Sequence, residues 1–314
     1  MDWEYFKKQD KWSLLFLVGL FVCFLTSIAF LASFHAIFEM ACSFRAHYFY
    51  FLLLLSLPFF KTKRLKTGIT FCLFAFLNFS QYINLYSNPN NLYPSVVETL
   101  FVYNLHSANK DYQKTIDFIK KSHFDHISLI EVTPEWEQAI IRGLSEEFPH
   151  IVSQAQRNNF GIMFLSKHKF TGTVHTHEDI PYLQADFGDD FSLFTIHPMP
   201  PLNQHMFQLR QGLLDQLAEN VTVANPNRLV CGDFNTVPWS PNFKSFEKKT
   251  NLTNAAKSFG VQPTWPSSPW FLRIPIDHCL VSQNIIIDNF EVGPDLGSDH
   301  LPLIIRISAQ VLSD

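Results

Sequence analysis

The chain has 314 residues, 47% of them hydrophobic, with 33 Phe, 5 Cys and a formal net charge of −4. That length accommodates one large domain plus an appendage. The charge excludes a globally basic nucleic-acid binder, and the lack of CxxC spacing or a Cys/His set excludes a disulfide-dense scaffold and a zinc site.

The apolar residues are concentrated at the front. Residues 13–34 hold no charge over 22 positions, 46–60 none over 15, and 67–86 none over 20. About 20 apolar residues cross a hydrocarbon core as a helix. The first and third runs therefore predict transmembrane helices. The second, taken as 44–60, is long enough only if it reaches back past Arg45, whose stem can snorkel. A cleaved secretory signal is the alternative for the first run, but that run is long for one and two more apolar segments follow it. Lys7, Lys8 and Lys11 precede the first run, and Lys61, Lys63, Arg64 and Lys66 separate the second from the third. Only Arg45 and Glu39 lie between the first and second. The positive-inside rule then places everything after Tyr86 on the extracytoplasmic, periplasmic side. Without a second span the topology is open, a cytoplasmic domain being the alternative.

The expected organisation is an anchor at 1–86, a turn-rich linker at 87–95 and a catalytic domain at 96–314. Beyond residue 86 there are 16 Lys and Arg against 24 Asp and Glu, a net of −8. Cys231 and Cys279 lie in apolar strand-like runs and are expected as buried thiols, with a bridge between them as the alternative.

Short apolar segments predict strands at 98–105, 126–132, 161–166, 191–197, 228–234, 276–282 and 301–308. Helical patterns fall between them at 111–121, 133–148, 204–220 and 240–249. Two of these open on a cap followed by proline, Thr133-Pro134 and Ser240-Pro241. The alternation predicts α/β layering with mixed sheets.

Acidic, amide and His residues recur at the ends of these strands: Asn104, Glu131, His197, Asp233 and Asn235, Asp277, and then Ser298-Asp299-His300. Taken singly each is ordinary. An Asp or Asn at a strand end is usually a turn residue, and Glu131 could merely favour a helix dipole. Their order is what matters. Asn104, "LIEV", "HPMPP", "CGDFN", "PIDHCLVS" and "GSDHLPL" together resemble the endonuclease/exonuclease/phosphatase (deoxyribonuclease I-like) superfamily across residues 96–308. "NNFGIMFLS", "PTWP" and "RIPIDH" resemble its bacterial membrane-anchored branch.

The resemblance implies a four-layer α/β sandwich of two packed mixed β-sheets, and Mg²⁺- or Mn²⁺-dependent hydrolysis of a phosphoester. It implies Glu131, Asp299 and Asn104 on the metal side. Asp233 would act on the attacking water, and Asn235 and His197 on phosphate oxygens. His300 would be the catalytic His, oriented by Asp277. It leaves open whether His300 or Asp233 is the general base. The chemistry is coherent on its own terms, because Mg²⁺ needs only one or two carboxylates and stabilises charge developing on phosphate. Clustered carboxylates without a cation would raise each other's pKa. Asn109, Asn159 and Trp265 are candidate cleft residues, as is Asn158. Trp239 is as well read as a buried anchor. Ser240 and Ser298 read as cap and turn, and His106 and His278 as structural or solvated.

The fold does not name the substrate. A lipid-linked or headgroup phosphate suits a cleft tethered near a bilayer. A nuclease is the alternative, disfavoured by the acidic domain, and a non-catalytic membrane scaffold is the third reading. The number of metals and the oligomeric state are not legible.

Overall fold

The computed structural model describes residues 3–87 and 98–309, with side chains from Trp12 to Ser308. The expected linker (apart from Ser87), residues 96 and 97, residues 310–314 and the side chains of Lys7, Lys8 and Lys11 lie outside the described residues.

Two six-stranded mixed sheets form the domain. The first has the order β11(Ile285–Val292), β12(Leu303–Ala309), β1(Glu98–Asn104), β2(His126–Ile130), β4(Ile162–Ser166) and β3(His150–Gln154). The second runs β5(Thr171–His177), β6(Ile180–Asp186), β7(Ser192–Ile196), β8(Arg228–Asp233), β10(Asp277–Val281) and β9(Thr253–Asn254). Among the described strands, only β1–β2 and β7–β8 pair in parallel. Each such pair needs a crossover, which α5(Tyr112–Lys121) and α7(Gln204–Val223) supply.

The sheets pack face to face. Leu100, Val102, Ile130 and Phe164 of one meet Leu183, Leu193, Leu229 and Cys231 of the other. A buried hydroxyl pair, Ser128 and Thr195, bridges them at 2.9 Å. Outside the first sheet, α5 and α6(Pro134–Leu144) cover Phe101, Ile127 and Leu129. On the other side α7 and α8(Pro241–Thr250) cover Phe194, Val230 and Leu280. This is the four-layer sandwich expected. The predicted caps form: the Thr133 side chain accepts from Trp136 N, and that of Ser240 from Asn242 N.

The cysteine expectation is corrected. Cys231 and Cys279 are directly opposite across β8 and β10, and they form a disulfide.

The front of the chain departs from three separate full-length helices. One span, Trp12–Leu31, is long and apolar enough by itself; it comprises the end of α1(Trp3–Ile28) and a 3₁₀ turn. The second run forms the single helix α3(Arg45–Lys61), which makes a span only as a pair with the preceding α2(Ala36–Ser43), bent by 57°. The third run ends as α4(Leu65–Phe79) at the polar Ser80-Gln81 and resumes as a 3₁₀ turn at Ile83–Tyr86. These helices pack side by side. Trp12 meets Phe59 and Phe59 meets Phe71, each with ring centroids 5.4 Å apart. Gly19 permits this approach, since a Cβ there would lie 2.1 Å from the Phe71 ring. A buried polar thread joins them: Arg45 donates to Asn78 (3.3 Å), which donates to Thr26 (2.9 Å). The outward face is apolar, with Leu17, Phe21, Leu54, Leu57, Leu73 and Phe76 exposed.

One end of this bundle sits on the domain. Ala29, Ala32, Ala41, Cys42, Tyr82 and Leu85 are buried against Val237, Trp239, Ile274 and Ile276. Trp239 is a buried anchor, its indole donating to Cys42 O (2.8 Å).

Candidate active site

Both parallel pairs deliver their C-terminal ends to one edge of the sandwich. Asn104 closes β1, Glu131 follows β2, His197 follows β7 and Asp233 closes β8. Asp277 opens the antiparallel β10 directly opposite Asp233. His300 precedes β12, antiparallel to β1. Six chain segments therefore meet at one place, on rigid strand ends that hold short side chains in register.

The contacts form a continuous network. The Asn104 amide donates to Glu131 Oε1 (3.1 Å) and Asp233 Oδ2 (3.2 Å), and lies 3.5 Å from His300 Nε2. His300 Nδ1 is 2.8 Å from Asp277 Oδ2, and its Nε2 faces Asp233 Oδ2 at 3.7 Å. His197 Nε2 approaches the same Asp233 oxygen at 3.5 Å. Ser298 ties the last loop in, donating to Asn104 O (2.8 Å) and accepting from His300 N (3.0 Å). Asn104, Asp233, Asp277, His197 and His300 are at most 5% exposed, and Glu131 is 8% exposed.

Backbone geometry is specialised here. Glu131 (φ 60°) and Asn235 (φ 50°) are both left-handed, a conformation that non-glycine residues hold only when their surroundings enforce it. Ser107 N donates to Glu131 Oε2 (2.9 Å), and Asn235 N donates to Asp233 Oδ1 (2.8 Å), so both turns orient a carboxylate. Gly232 (φ 147°) lets β7 close on β8, since a Cβ would stand 2.0 Å from Ile196 O, one residue before His197.

Charge is strongly redistributed. Burial opposes a proton on His300, but the Asp277 and Asp233 carboxylates outweigh it and push its pKa up to about 10. Burial alone would raise Asp233, but His197 and His300 hold it below the usual carboxylate range. Asp277 is raised by burial and by the neighbouring Asp233 charge. The result is an ionised Asp233 between two imidazoles that favour protonation. His197 Nδ1 is buried with no hydrogen-bond partner and packs beside Phe160, 5.4 Å between ring centroids. A buried orphan donor or acceptor invites a ligand.

The donor set fits a hard divalent cation: carboxylate and amide oxygens predominate and there is no thiol. Atoms of Asp233, Asp277 and His300 lie within 4.8 Å of one another. Of the trio expected on the metal side, Asn104 and Glu131 touch. Asp299 instead stands at the rim, its Oδ2 accepting from Trp265 Nε1 (3.0 Å) and its Oδ1 lying 3.5 Å from His106 Nδ1.

The remaining candidates divide. Trp265 is at the rim through Asp299. Asn159 is exposed and accepts from Ser107 Oγ (2.7 Å), one residue chain away from Glu131. Asn235 donates its side-chain amide to Pro198 O (3.0 Å), which joins the two loops after β7 and β8. Asn109 is not brought into the cluster: it is buried, donates to Leu105 O and accepts from Asp111 N. Asn158 is exposed and caps its own turn through Phe160 N. Sequence reasoning missed Ser107 and His106, although both follow Asn104 in the same strand-end turn.

Comparison with known proteins agrees with this geometry. The model of the Endonuclease/Exonuclease/phosphatase family matches residues 101–300. No curated protein sequence matches. Among solved structures, the endonuclease/exonuclease/phosphatase from Bacteroides vulgatus is similar at 16% identity and TM-score 0.57, covering 68% of this chain and 100% of that one. Humanized D. rerio TDP2 is similar at 13% identity and TM-score 0.55, covering 68% and 99%. The 3′ phosphatase NExo from Neisseria, bound to a product DNA hairpin, is similar at 15% identity and TM-score 0.55, covering 66% and 98%. With its family model matched from β1 to His300 and its strand ends converging at one edge, the chain belongs to the endonuclease/exonuclease/phosphatase family.

Proposed function

We propose that the chain is a membrane-anchored phosphoester hydrolase that uses Mg²⁺ or Mn²⁺ and acts on a lipid-linked or headgroup phosphate. The buried Asp277–His300–Asp233 relay, joined through Asn104 to Glu131, is the observation that carries the catalytic part. Glu131, Asn104 and the rim carboxylate Asp299 would hold the cation, which counters negative charge on the phosphate and leaving oxygen when bound. Asp233, ionised, orients water and accepts its proton. The water oxygen bonds to phosphorus, the ester P–O bond breaks, and the departing alkoxide takes a proton from solvent. His300 keeps its proton through Asp277 and hydrogen-bonds a phosphate oxygen with Nε2. His197 and Asn235 bind the other oxygens, and Asn159 and Trp265 line the approach.

The rim supports the lipid part. The loop from Pro266 to Arg273 is pinned at its base, where Ser267 N donates to Asp299 O (2.6 Å) and Trp265 pairs with Ile274. Its tip exposes Trp270, Phe271 and Leu272, and Phe271 O meets His47 at the head of α3 (3.0 Å). An apolar tip beside an apolar bundle suits a bilayer interface. The second reading is a nuclease, favoured by the similarity to the DNA-bound phosphatase from Neisseria. The net −8 of the residues beyond 86 weighs against it.

The full chain in nanodiscs with Mg²⁺ tests this against bis-p-nitrophenyl phosphate, phospholipid headgroup esters and plasmid DNA. Metal-dependent turnover of a phosphoester, lost at least 100-fold in His300→Ala, is expected. Plasmid nicking as the dominant activity would promote the nuclease, and no turnover on any substrate would overturn the enzyme.

A further inference from the structure

Glu39 belongs to the anchor, on the short α2 between the first and second apolar runs, yet it is 1% exposed. Among the described residues, every hydrogen-bond and ion-pair partner of its carboxylate comes from the catalytic domain. The Thr236 hydroxyl donates to it, as do Ser240 Oγ (2.9 Å) and Asn242 Nδ2 (2.7 Å), and Arg210 Nη2 pairs with it at 3.2 Å. Arg210, on α7, is 0% exposed and spends its other arm on Asn235 O (2.7 Å). Asn235 in turn holds Asp233 through its backbone N–H and Pro198, next to His197, through its side chain. A chain of one ion pair, Glu39–Arg210, followed by hydrogen bonds thus runs from the membrane connector to the water-orienting carboxylate.

The cost of this arrangement is informative. A buried ion pair seldom adds net stability over apolar packing, and leaving one partner unpaired is severely unfavourable. The surrounding contact of Ala32, Ala41, Trp239 and Ile274 is already apolar. The pair therefore does something that packing alone does not: it fixes the carbonyl of a left-handed Asn235 at the turn that presents Asp233.

We propose that Glu39 and Arg210 are positioning residues, through which the docked connector α2 holds the 233–242 loop in its reactive geometry, so that the anchor completes the active site as well as tethering it. The proposal rests on the hydrolase reading for its kinetic consequence and on geometry alone for its effect on the loop.

The test uses the full chain in nanodiscs. Glu39→Gln keeps the shape and removes the charge, and Arg210→Lys keeps the charge and removes the fork that reaches both partners. Gln204→Ala is the control. It deletes a different polar link to the connector, where Gln204 accepts from Ala36 N (3.1 Å) and donates to Phe34 O (3.4 Å), without touching the loop. Expected are a fall of at least tenfold in kcat for bis-p-nitrophenyl phosphate with KM within threefold in both variants, and kcat within twofold in the control. Amide hydrogen exchange at residues 235–239 should accelerate at least tenfold in Glu39→Gln, with β1 unchanged. A kcat within twofold of wild type in Glu39→Gln, or an equal loss in Gln204→Ala, overturns the proposal. If the wild type hydrolyses nothing, the hydrolase reading fails and exchange decides: unaltered exchange at 235–239 overturns the positioning role, and local acceleration upholds it.

Discussion

His278 sits beside Asp277 but faces the other way. It is 2% exposed, packs against Phe243 with ring centroids 4.7 Å apart, and has Nε2 2.9 Å from Thr236 O. Burial drives its pKa down from 6.5 to about 4, more than the Thr236 carbonyl and Asp233 can restore. It is therefore neutral and donates to Thr236 O, bracing the 233–242 loop at the residue whose hydroxyl reaches Glu39. The folded pKa lies below the unfolded one, so the unfolded chain binds the extra proton between them. Stability from this group is complete above about 6.5 and is lost as pH falls towards 4, by roughly 3 kcal/mol at most. The unfolding midpoint of the wild type in detergent should fall more steeply over that window than that of His278→Gln. Parallel slopes for the two proteins would show that His278 is not the group responsible.

At the level of elements, legibility tracked position within the sheets. The strands recognised from sequence include the interior ones β12, β1, β2, β4, β7, β8 and β10, whose apolar runs are buried, on both faces in β2, β4, β7 and β10. Most of those missed are sheet edges. β5 reads TGTVHTH with five of seven residues exposed, β9 has two residues, and β3 and β11 alternate irregularly because one flank meets solvent. β6 is interior, but it begins Ile-Pro and ends Gln-Ala-Asp, a polar signature that tertiary pairing overrides. All four domain helices were legible, two of them from a cap-proline start. Most of the site residues were legible because short polar groups at strand ends carry the motif order. What joins the site to the rest was not. The Cys231–Cys279 bridge depends on cross-strand register, and Glu39–Arg210 on a contact 171 positions apart in sequence.

The rim loop belongs to this scale as well, because its tip leaves three apolar side chains exposed. Trp270 is 75% exposed and Phe271 58%, beside a bundle whose outside is apolar. If the tip rests in a bilayer interface, its apolar surface contributes only when substrate is presented in a membrane. Trp270→Ser/Phe271→Ser should lower turnover of vesicle-borne phospholipid substrate at least tenfold and leave soluble bis-p-nitrophenyl phosphate within twofold. Equal losses on both substrates would make the loop a structural part of the cleft, and no loss on either would remove it from membrane contact.

For the whole molecule the decisive relation is between the two ends of the bundle. Tyr82, Leu85 and Ala29 press on the domain, while Arg64 lies over the Trp12 ring (5.1 Å) at the far end, among the exposed Lys61, Lys63 and Lys66. The basic loop and the domain therefore occupy opposite ends. α3 and α4, of 17 and 15 residues, are about 25 Å and 22 Å long, short of a 30 Å hydrocarbon core. Basic side chains that snorkel at one end and local thinning accommodate such a mismatch. If three segments cross with the lysines inside, the domain lies outside, where an oxidising compartment would suit the Cys231–Cys279 disulfide. An alkaline phosphatase fused after the C-terminus should be active and a cytoplasm-only fluorescent reporter there dark, with the reverse for fusions in the 61–66 loop. Cys231 and Cys279 should resist thiol labelling in the unfolded chain until reduced. Fluorescence from the C-terminal fusion would mean that the bent α2–α3 pair does not cross, and free thiols at both positions would place the domain in a reducing compartment.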